Sequence, residues 1–295
     1  MTAAPVRLTQ TSHAILWMLL AILLFTAMDA LAKTVLRQGY PTLQVVWARY
    51  AGQTLVVALF LFHRLGPLLR TRHPGLQALR SLFQFGATAL FFASLGFIGL
   101  AEATAIMDTN PVLITLGAAL FLGERLGPRR LFGIGAALVG ALIVIRPGSG
   151  VFSPAALLPL GAAVCYAGYA IATRKVGATE NAWTSLLYSA LLGTLVSTAA
   201  LPLVWTPIAA AHVPGFIGLA LIGTAGQFCL IRAFTMTEAS AVAPFGYVGL
   251  VFATFWGIVL FGEYPDLWTV VGALVIVAAG LYVWRRETRA SRSTS

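Results

Sequence analysis

The sequence predicts an all-α polytopic membrane protein: ten transmembrane helices arranged as two inverted five-helix repeats. Three observations predict it. Hydrophobic residues make up 59% of the 295 and charged residues 9%, a balance that would leave a soluble domain with a large exposed apolar surface. The chain contains itself twice, since Glu102-Ala-Thr-Ala-Ile is echoed by Glu238-Ala-Ser-Ala-Val, Gly123-Glu124 by Gly262-Glu263, and Gly133 by Gly272. Lys and Arg fall almost entirely on one side of the expected spans.

Each span follows from an apolar run of the right length, because crossing the hydrocarbon takes about 20 helical residues. The runs lie at 14–33, 42–62, 77–97, 102–122 and 129–146, then at 154–173, 183–204, 214–232, 239–261 and 266–284. The turn-forming stretch Arg146-Pro147-Gly148-Ser149-Gly150 separates the two sets. The repeats are therefore 14–146 and 154–284, with 285–295 as a basic tail. Five spans per copy is an odd number, so the second copy enters the membrane from the opposite side. The copies differ by a small insertion, placed near Pro244-Phe245-Gly246.

Charge sets the expected orientation. With the N-terminus inside, the inner segments hold Arg7, Arg64, Arg70, Arg72, Arg80, Arg125, Arg129, Arg130, Arg174, Lys175, Arg232, Arg285, Arg286, Arg289 and Arg292. The outer ends hold Lys33, Arg37 and Arg146, and Arg49 lies within a span. This positive-inside bias places both termini in the cytoplasm. The formal charge of +10 thus reports topology, with anionic lipid as the polyanion it meets and no nucleic acid. Ala30-Leu31-Ala32 resembles a signal-peptide cleavage site, but Asp29 and Lys33 flank it and the run is long for one. Cys165 and Cys229 both lie within spans and imply neither a disulfide framework nor a thiolate metal site.

The pattern resembles the drug/metabolite transporter superfamily, in its EamA-type ten-helix form. The residues that carry the resemblance are Lys33 closing span 1, Arg49 in Trp47-Ala-Arg-Tyr50, Thr104-Ala105, Asn110-Pro111, Gly123-Glu124, and the glycines Gly133, Gly135 and Gly140. The second copy adds Ala241-Val-Ala-Pro244, Gly262-Glu263-Tyr-Pro-Asp266 and Gly272. The resemblance covers roughly residues 14–286. It implies a bacterial inner-membrane carrier with a central cavity lined mainly by spans 1, 3, 4, 6, 8 and 9, and it leaves the substrate open.

Ionisable groups inside a span are costly and mark functional candidates. Here they are Asp29, Arg49 and Asp108, with Lys33 and Glu102 near span ends. Arg49 lies about 10 Å into span 2 at 1.5 Å per residue, and Asp108 lies at a similar depth, so all three could meet in the outer part of the first copy. They read either as a proton carboxylate beside an arginine for an anionic group, or as an ion pair locking span 2 to span 1 or 4. Asp29 and Lys33, four apart, could pair along one helix face; otherwise Lys33 is expected to snorkel to the outer interface. The second copy lacks matching charges, so the inner half of the pathway is expected to be uncharged. It offers Tyr166 and Tyr169 on span 6, Gln227 on span 8 and Tyr247 on span 9, while Gln84 on span 3 adds an amide. Phenol and amide groups suit a polar or zwitterionic molecule, and equally suit helix packing.

Asn110 precedes Pro111, and Pro111 and Pro244 sit at related places in spans 4 and 9. Each proline removes a backbone hydrogen bond and kinks its helix, freeing a carbonyl that could bind substrate. The glycines of spans 5 and 10 allow close packing, within the chain or in a homodimer. Glu124 and Glu263 sit at span ends, where helix–loop bonding is expected.

An enzyme is not expected. The four histidines lie at span ends or loops, and no His-Glu-x-x-His, Gly-x-Ser-x-Gly or P-loop is present. No catalytic residue, metal or cofactor is assigned. The internal duplication favours alternating access; a channel or a permease subunit of a larger complex is the other class. By resemblance, the expected activity is export by proton exchange of an amino-acid-like or amino-acid-derived metabolite, an opine-type metallophore included. Uptake of a vitamin or nucleoside-like metabolite is the alternative.

Overall fold

Without water, every backbone polar group in the hydrocarbon must be satisfied within the chain, which leaves the helix as the solution for runs of this length. The computed structural model describes residues 4–122, 128–146, 153–177, 180–236 and 243–292. Its helices of eight residues or more are α1 (Ala4–Arg37), α2 (Thr42–Phe60), α3 (Pro74–Leu95), α4 (Leu100–Met107), α5 (Asn110–Leu122) and α6 (Pro128–Ile145). They continue as α7 (Leu157–Gly177), α8 (Ala182–Ala200), α9 (Val213–Met236), α10 (Val248–Phe261) and α11 (Leu267–Arg292). Among the described residues six helices are long and apolar enough to cross a membrane, and the shorter apolar helices 131–145, 245–261 and 267–282 fill three of the remaining predicted spans. Large apolar side chains such as Leu59, Phe60, Leu120, Phe121, Phe132, Leu195 and Leu203 face outward. That surface suits lipid and would be a liability in water.

The predicted boundaries move in three places. Span 4 is two helices, α4 and α5, broken at Asp108–Thr109. Span 9 opens with a 3-10 turn at Ala243–Tyr247 before α10; its predicted first residues, 239–242, lie outside the described ones. The basic tail is not separate, because α11 runs through Arg285 to Arg292.

The packing pattern reads the same from either copy. α1 runs along α9 as α3 runs along α7, α2 packs on α8, and α6 packs on α11. The α2–α8 and α6–α11 pairs each join a span to its counterpart, while the α1–α9 pair (spans 1 and 8) and the α3–α7 pair (spans 3 and 6) exchange with each other, as an inverted two-fold relation requires. Along the first interface Val35, Leu31, Met28 and Phe25 descend α1 while Gly215, Gly218, Gly223 and Gly226 ascend α9. The two helices are therefore antiparallel, with small residues admitting close approach. Gly140 and Gly272 bring the backbones of α6 and α11 close together. A Cβ on Gly272 would lie 2.6 Å from the Gly140 carbonyl oxygen, and one on Gly140 would lie 2.9 Å from that of Gly272. Two of the glycines left open between internal packing and a dimer thus serve the internal crossing.

Helix ends collect at two faces. One holds the end of α1 with the starts of α2 and α4, and is here the Lys33 face. There Gln44 exchanges two hydrogen bonds with the Thr206 backbone, and Tyr40 O–H meets His212 Nδ1 at 2.9 Å. The opposite face, the Arg80 face, holds the start of α3 and the α7–α8 connection. Thr71 Oγ1 donates to Glu180, and so does the Arg72 N–H. The Thr71 hydroxyl, foremost, holds the Glu180 carboxyl below its usual range.

Candidate substrate pathway and gate

Arg49 projects from α2 among aromatic rings. Its Nη1 donates to Thr88 Oγ1 at 3.0 Å, and its Cζ lies 5.5 Å and 5.7 Å from the ring centroids of Tyr50 and Phe92, inside cation–π range. Tyr50 O–H lies 2.9 Å from Thr88 Oγ1, and both hydroxyls reach the Gln84 carbonyl oxygen. The Gln84 side chain is left over: its Oε1 is buried without a hydrogen-bond partner, as is Arg49 Nε. Asp29 is within electrostatic reach of Arg49. Among the described residues the two form no direct salt bridge, so the locking ion pair, one of the two readings, is not made between them.

Asp108 stands apart from this pair, so the three charges that could have met do not gather at one point. It ends α4, and its neighbour in electrostatic terms is Tyr247, from the second copy. Asp108 Oδ2 and Tyr247 O–H are both buried and unpartnered. Tyr247 lies over Gly280 of α11, where a Cβ would collide with the phenol. The break beside Asp108 has a local cause. Pro111 has no N–H to give the Met107 carbonyl one turn back, and Asn110 Nδ2 donates to that oxygen instead, at 2.9 Å. Thr109 Oγ1 likewise donates to Ile106 O at 2.8 Å. The carbonyl expected to be free at Pro111 is therefore occupied, and by the amide of a residue singled out for substrate. Pro244 falls in the 3-10 turn that opens span 9.

The half of the pathway expected to be uncharged holds a buried arginine. Arg80 is 4% exposed on α3. Its Nε donates to Thr173 Oγ1 at 2.7 Å, Nη1 to Ser185 O at 2.8 Å and Ser189 Oγ at 3.0 Å, and Nη2 to Tyr169 O–H at 3.0 Å. Tyr166 lies beside Tyr169, ring centroids 5.6 Å apart. Gln227 is buried on α9, the helix packed along α1. Counting Arg80 among the inner-segment charges, although it falls within the predicted span 77–97, hid it. The signal was present, since Thr173, Ser185 and Ser189 put hydroxyls where an apolar helix has no other use for them.

Lys33 does not snorkel and does not pair with Asp29. It is 2% exposed, and its Nζ lies 2.7 Å from Glu263 Oε1 and donates to Ile98 O at 2.6 Å. Arg37 also donates to Glu263 Oε1, and the Leu100 N–H, at the first turn of α4, donates to Glu263 Oε2 at 3.1 Å. Gly262 explains how Glu263 gets there. Its φ of +64° ends α10 in the left-handed region, which glycine adopts without strain, and turns the chain back. Helix–loop bonding was expected at this glutamate; an ion pair between the copies was not. A second pair, Arg146 Nη1 to Asp266 Oδ2 at 2.7 Å, crosses the same boundary. A cavity of about 350 Å³ opens over both pairs, lined in part by Lys33, Arg37, Glu102, Arg146, Glu263 and Asp266. Gly123 and Glu124, the matching motif of the first copy, lie outside the described residues.

The family model for the EamA-like transporter family matches residues 12–146 and again residues 153–285. The chain belongs to this family. An EamA-like relative, the pseudopaline exporter of Pseudomonas aeruginosa, is 31% identical over 92% of this chain and 96% of its own length. A riboflavin transporter of Vibrio cholerae is 30% identical over 94% of each chain, and an S-adenosylmethionine uptake transporter of Rickettsia bellii is 28% identical over 93% of this chain and 94% of its own. A crystal structure sharing 21% identity superposes with a TM-score of 0.64 over 93% of this chain and 98% of that one, which shows a shared fold alone. The protein is thus a multi-pass membrane transporter of small molecules and not an enzyme.

Proposed function

We propose that this transporter is a secondary carrier of the bacterial inner membrane, with both termini cytoplasmic, that works by alternating access. Its cargo is a small polar organic metabolite, amino-acid-like or derived from an amino acid, exported in exchange for protons. One observation carries the reading: Arg49 Nε, Gln84 Oε1, Asp108 Oδ2 and Tyr247 O–H are buried without hydrogen-bond partners. Such groups are expensive in a low-dielectric interior, and a polar ligand or water between the copies would satisfy them. Asp29 and Asp108 are the carboxylates for the proton, and Arg49 the cation for an anionic group. The likeness to the pseudopaline exporter supports export of an amino-acid-derived compound.

The likeness to riboflavin and S-adenosylmethionine transporters favours a second reading, uptake of a vitamin or nucleoside-like metabolite. Metabolite profiling of cells with and without the protein, inside and outside, separates the two. An amino-acid-like compound accumulating inside cells that lack the protein supports export; depletion of a vitamin inside overturns it. Saturable counterflow of that metabolite in proteoliposomes tests the carrier reading against a channel.

A further inference from the structure

The carboxylate of Glu263 sits in a cradle made by other elements. Lys33 and Arg37 of α1 supply two cations, and the Leu100 N–H of α4 supplies a third donor. Phe261 lies under both cations, its centroid 5.4 Å from Lys33 Nζ and 4.6 Å from Arg37 Cζ. The cradle belongs to the first copy and its occupant to the second. Alternating access moves one copy against the other, so opening the Lys33 face must withdraw Glu263. The cavity lining balances three cations, Lys33, Arg37 and Arg146, against three carboxylates, Glu102, Glu263 and Asp266. Asp266 stays with Arg146 or leaves beside Glu263, and Glu102 lies within electrostatic reach of Lys33 without pairing to it. Withdrawing Glu263 therefore strands a buried ammonium with an excess of positive charge, which is costly unless another anion enters.

We propose that the Lys33–Arg37–Leu100 cradle is a binding site for carboxylate-bearing ligands, closed in this state by the chain's own Glu263. An entering carboxylate takes the place of Glu263, and the exchange opens the face. The site lies at the rim of the pathway, apart from Arg49, Asp29 and Asp108. The inference rests on the carrier reading for its purpose, though the exchange is measurable without transport.

The test reads access to Ala101, a buried residue lining the cavity. Cys165 and Cys229 are replaced by alanine, Ala101→Cys is added, and the protein in lipid nanodiscs reacts with a membrane-impermeant maleimide. Glutarate is the probe, with uncharged glutaramide and sodium chloride of equal ionic strength as controls. Glutarate is expected to speed labelling several-fold while both controls leave it unchanged. Glu263→Gln is expected to label several-fold faster without glutarate, and Lys33→Met to lose the glutarate response. Equal rates in glutarate and sodium chloride overturn the site, and a parental rate in Glu263→Gln overturns the closure. Where Glu263→Gln does not accumulate, Glu263→Asp retracts the carboxylate by one methylene and is expected to label at an intermediate rate; a parental rate there overturns the closure equally. Glutarate-sensitive labelling without counterflow would overturn the carrier reading and leave the cradle standing, and counterflow with no glutarate effect would do the reverse.

Discussion

The Arg80 guanidinium stacks on Tyr169, Cζ lying 4.7 Å from the ring centroid, and donates from Nη2 to the hydroxyl of a tyrosine in the other copy. With Thr173 also on α7 and Ser185 and Ser189 on α8, one side chain of α3 ties three helices together. Tyr169→Phe removes one acceptor and keeps the ring, so it should cost about 1 kcal/mol. Arg80→Met removes the whole knot and leaves four oxygens to find other donors, and it should cost several times more. Thermal unfolding in detergent, followed by intrinsic fluorescence, orders the two. Tyr166→Phe, whose hydroxyl does not reach Arg80, should leave the melting temperature near that of the parent. Equal losses for Tyr166→Phe and Tyr169→Phe would show that the bond to Arg80 carries no weight.

The α6–α11 crossing gives a sharper contrast. Gly272→Ala places its Cβ against the Gly140 carbonyl and the Val144 side chain, and Gly135 on the same α6 has nothing within 4 Å of where a Cβ would sit. Gly272→Ala is expected to destabilise by about 1–3 kcal/mol, the usual range for overpacking. Gly135→Ala should be neutral or slightly stabilising, since alanine is the better helix former. The same melting assay decides. A Gly272→Ala protein as stable as the parent would mean that the two helices separate freely.

Periodicity and length were enough to expose the helices, because a lipid-spanning run has few alternatives. The duplication exposed which helices correspond. What stayed hidden were contacts that join the two copies. Lys33 and Glu263 are 230 positions apart, and each alone looks like an ordinary charge at a span end. Arg80 looked like one more positive-inside residue because it follows Arg70 and Arg72. The break in span 4 was half legible. Pro111 announced a lost hydrogen bond, but sequence spacing cannot tell that Asn110 turns back to replace it. Tyr247 beside Asp108 was likewise beyond reach, since the partner comes from the other repeat.

That replacement predicts a thermodynamic cycle. Asn110→Ala leaves the Met107 carbonyl without its donor and should cost about 1 kcal/mol or more, the price of an unsatisfied buried acceptor. Pro111→Ala restores a backbone N–H positioned for the same carbonyl. In that background Asn110→Ala should be nearly silent, giving a coupling energy of about 1 kcal/mol between adjacent residues. Additive losses in the double variant would mean the Asn110 amide serves something other than the helix, substrate included.

The buried charges separate by their partners. Asp29 is within electrostatic reach of Arg49 and Asp108 of Tyr247, so Asn substitution removes a different charge in each case. If protons drive export, Asp108→Asn or Asp29→Asn should insert normally and flatten the pH dependence of transport in proteoliposomes, because an amide cannot take up a proton. Unchanged pH dependence in both removes the proton from the mechanism. Arg49→Gln loses the charge but keeps a donor for Thr88, and should reduce transport at least tenfold while the protein still accumulates. A protein that fails to accumulate instead assigns Arg49 to the architecture of α2 and α3. Thr88→Val then reports on the same contact from the other side: a purely structural Arg49 predicts that Thr88→Val lowers the melting temperature, and a substrate-binding Arg49 predicts that it lowers affinity.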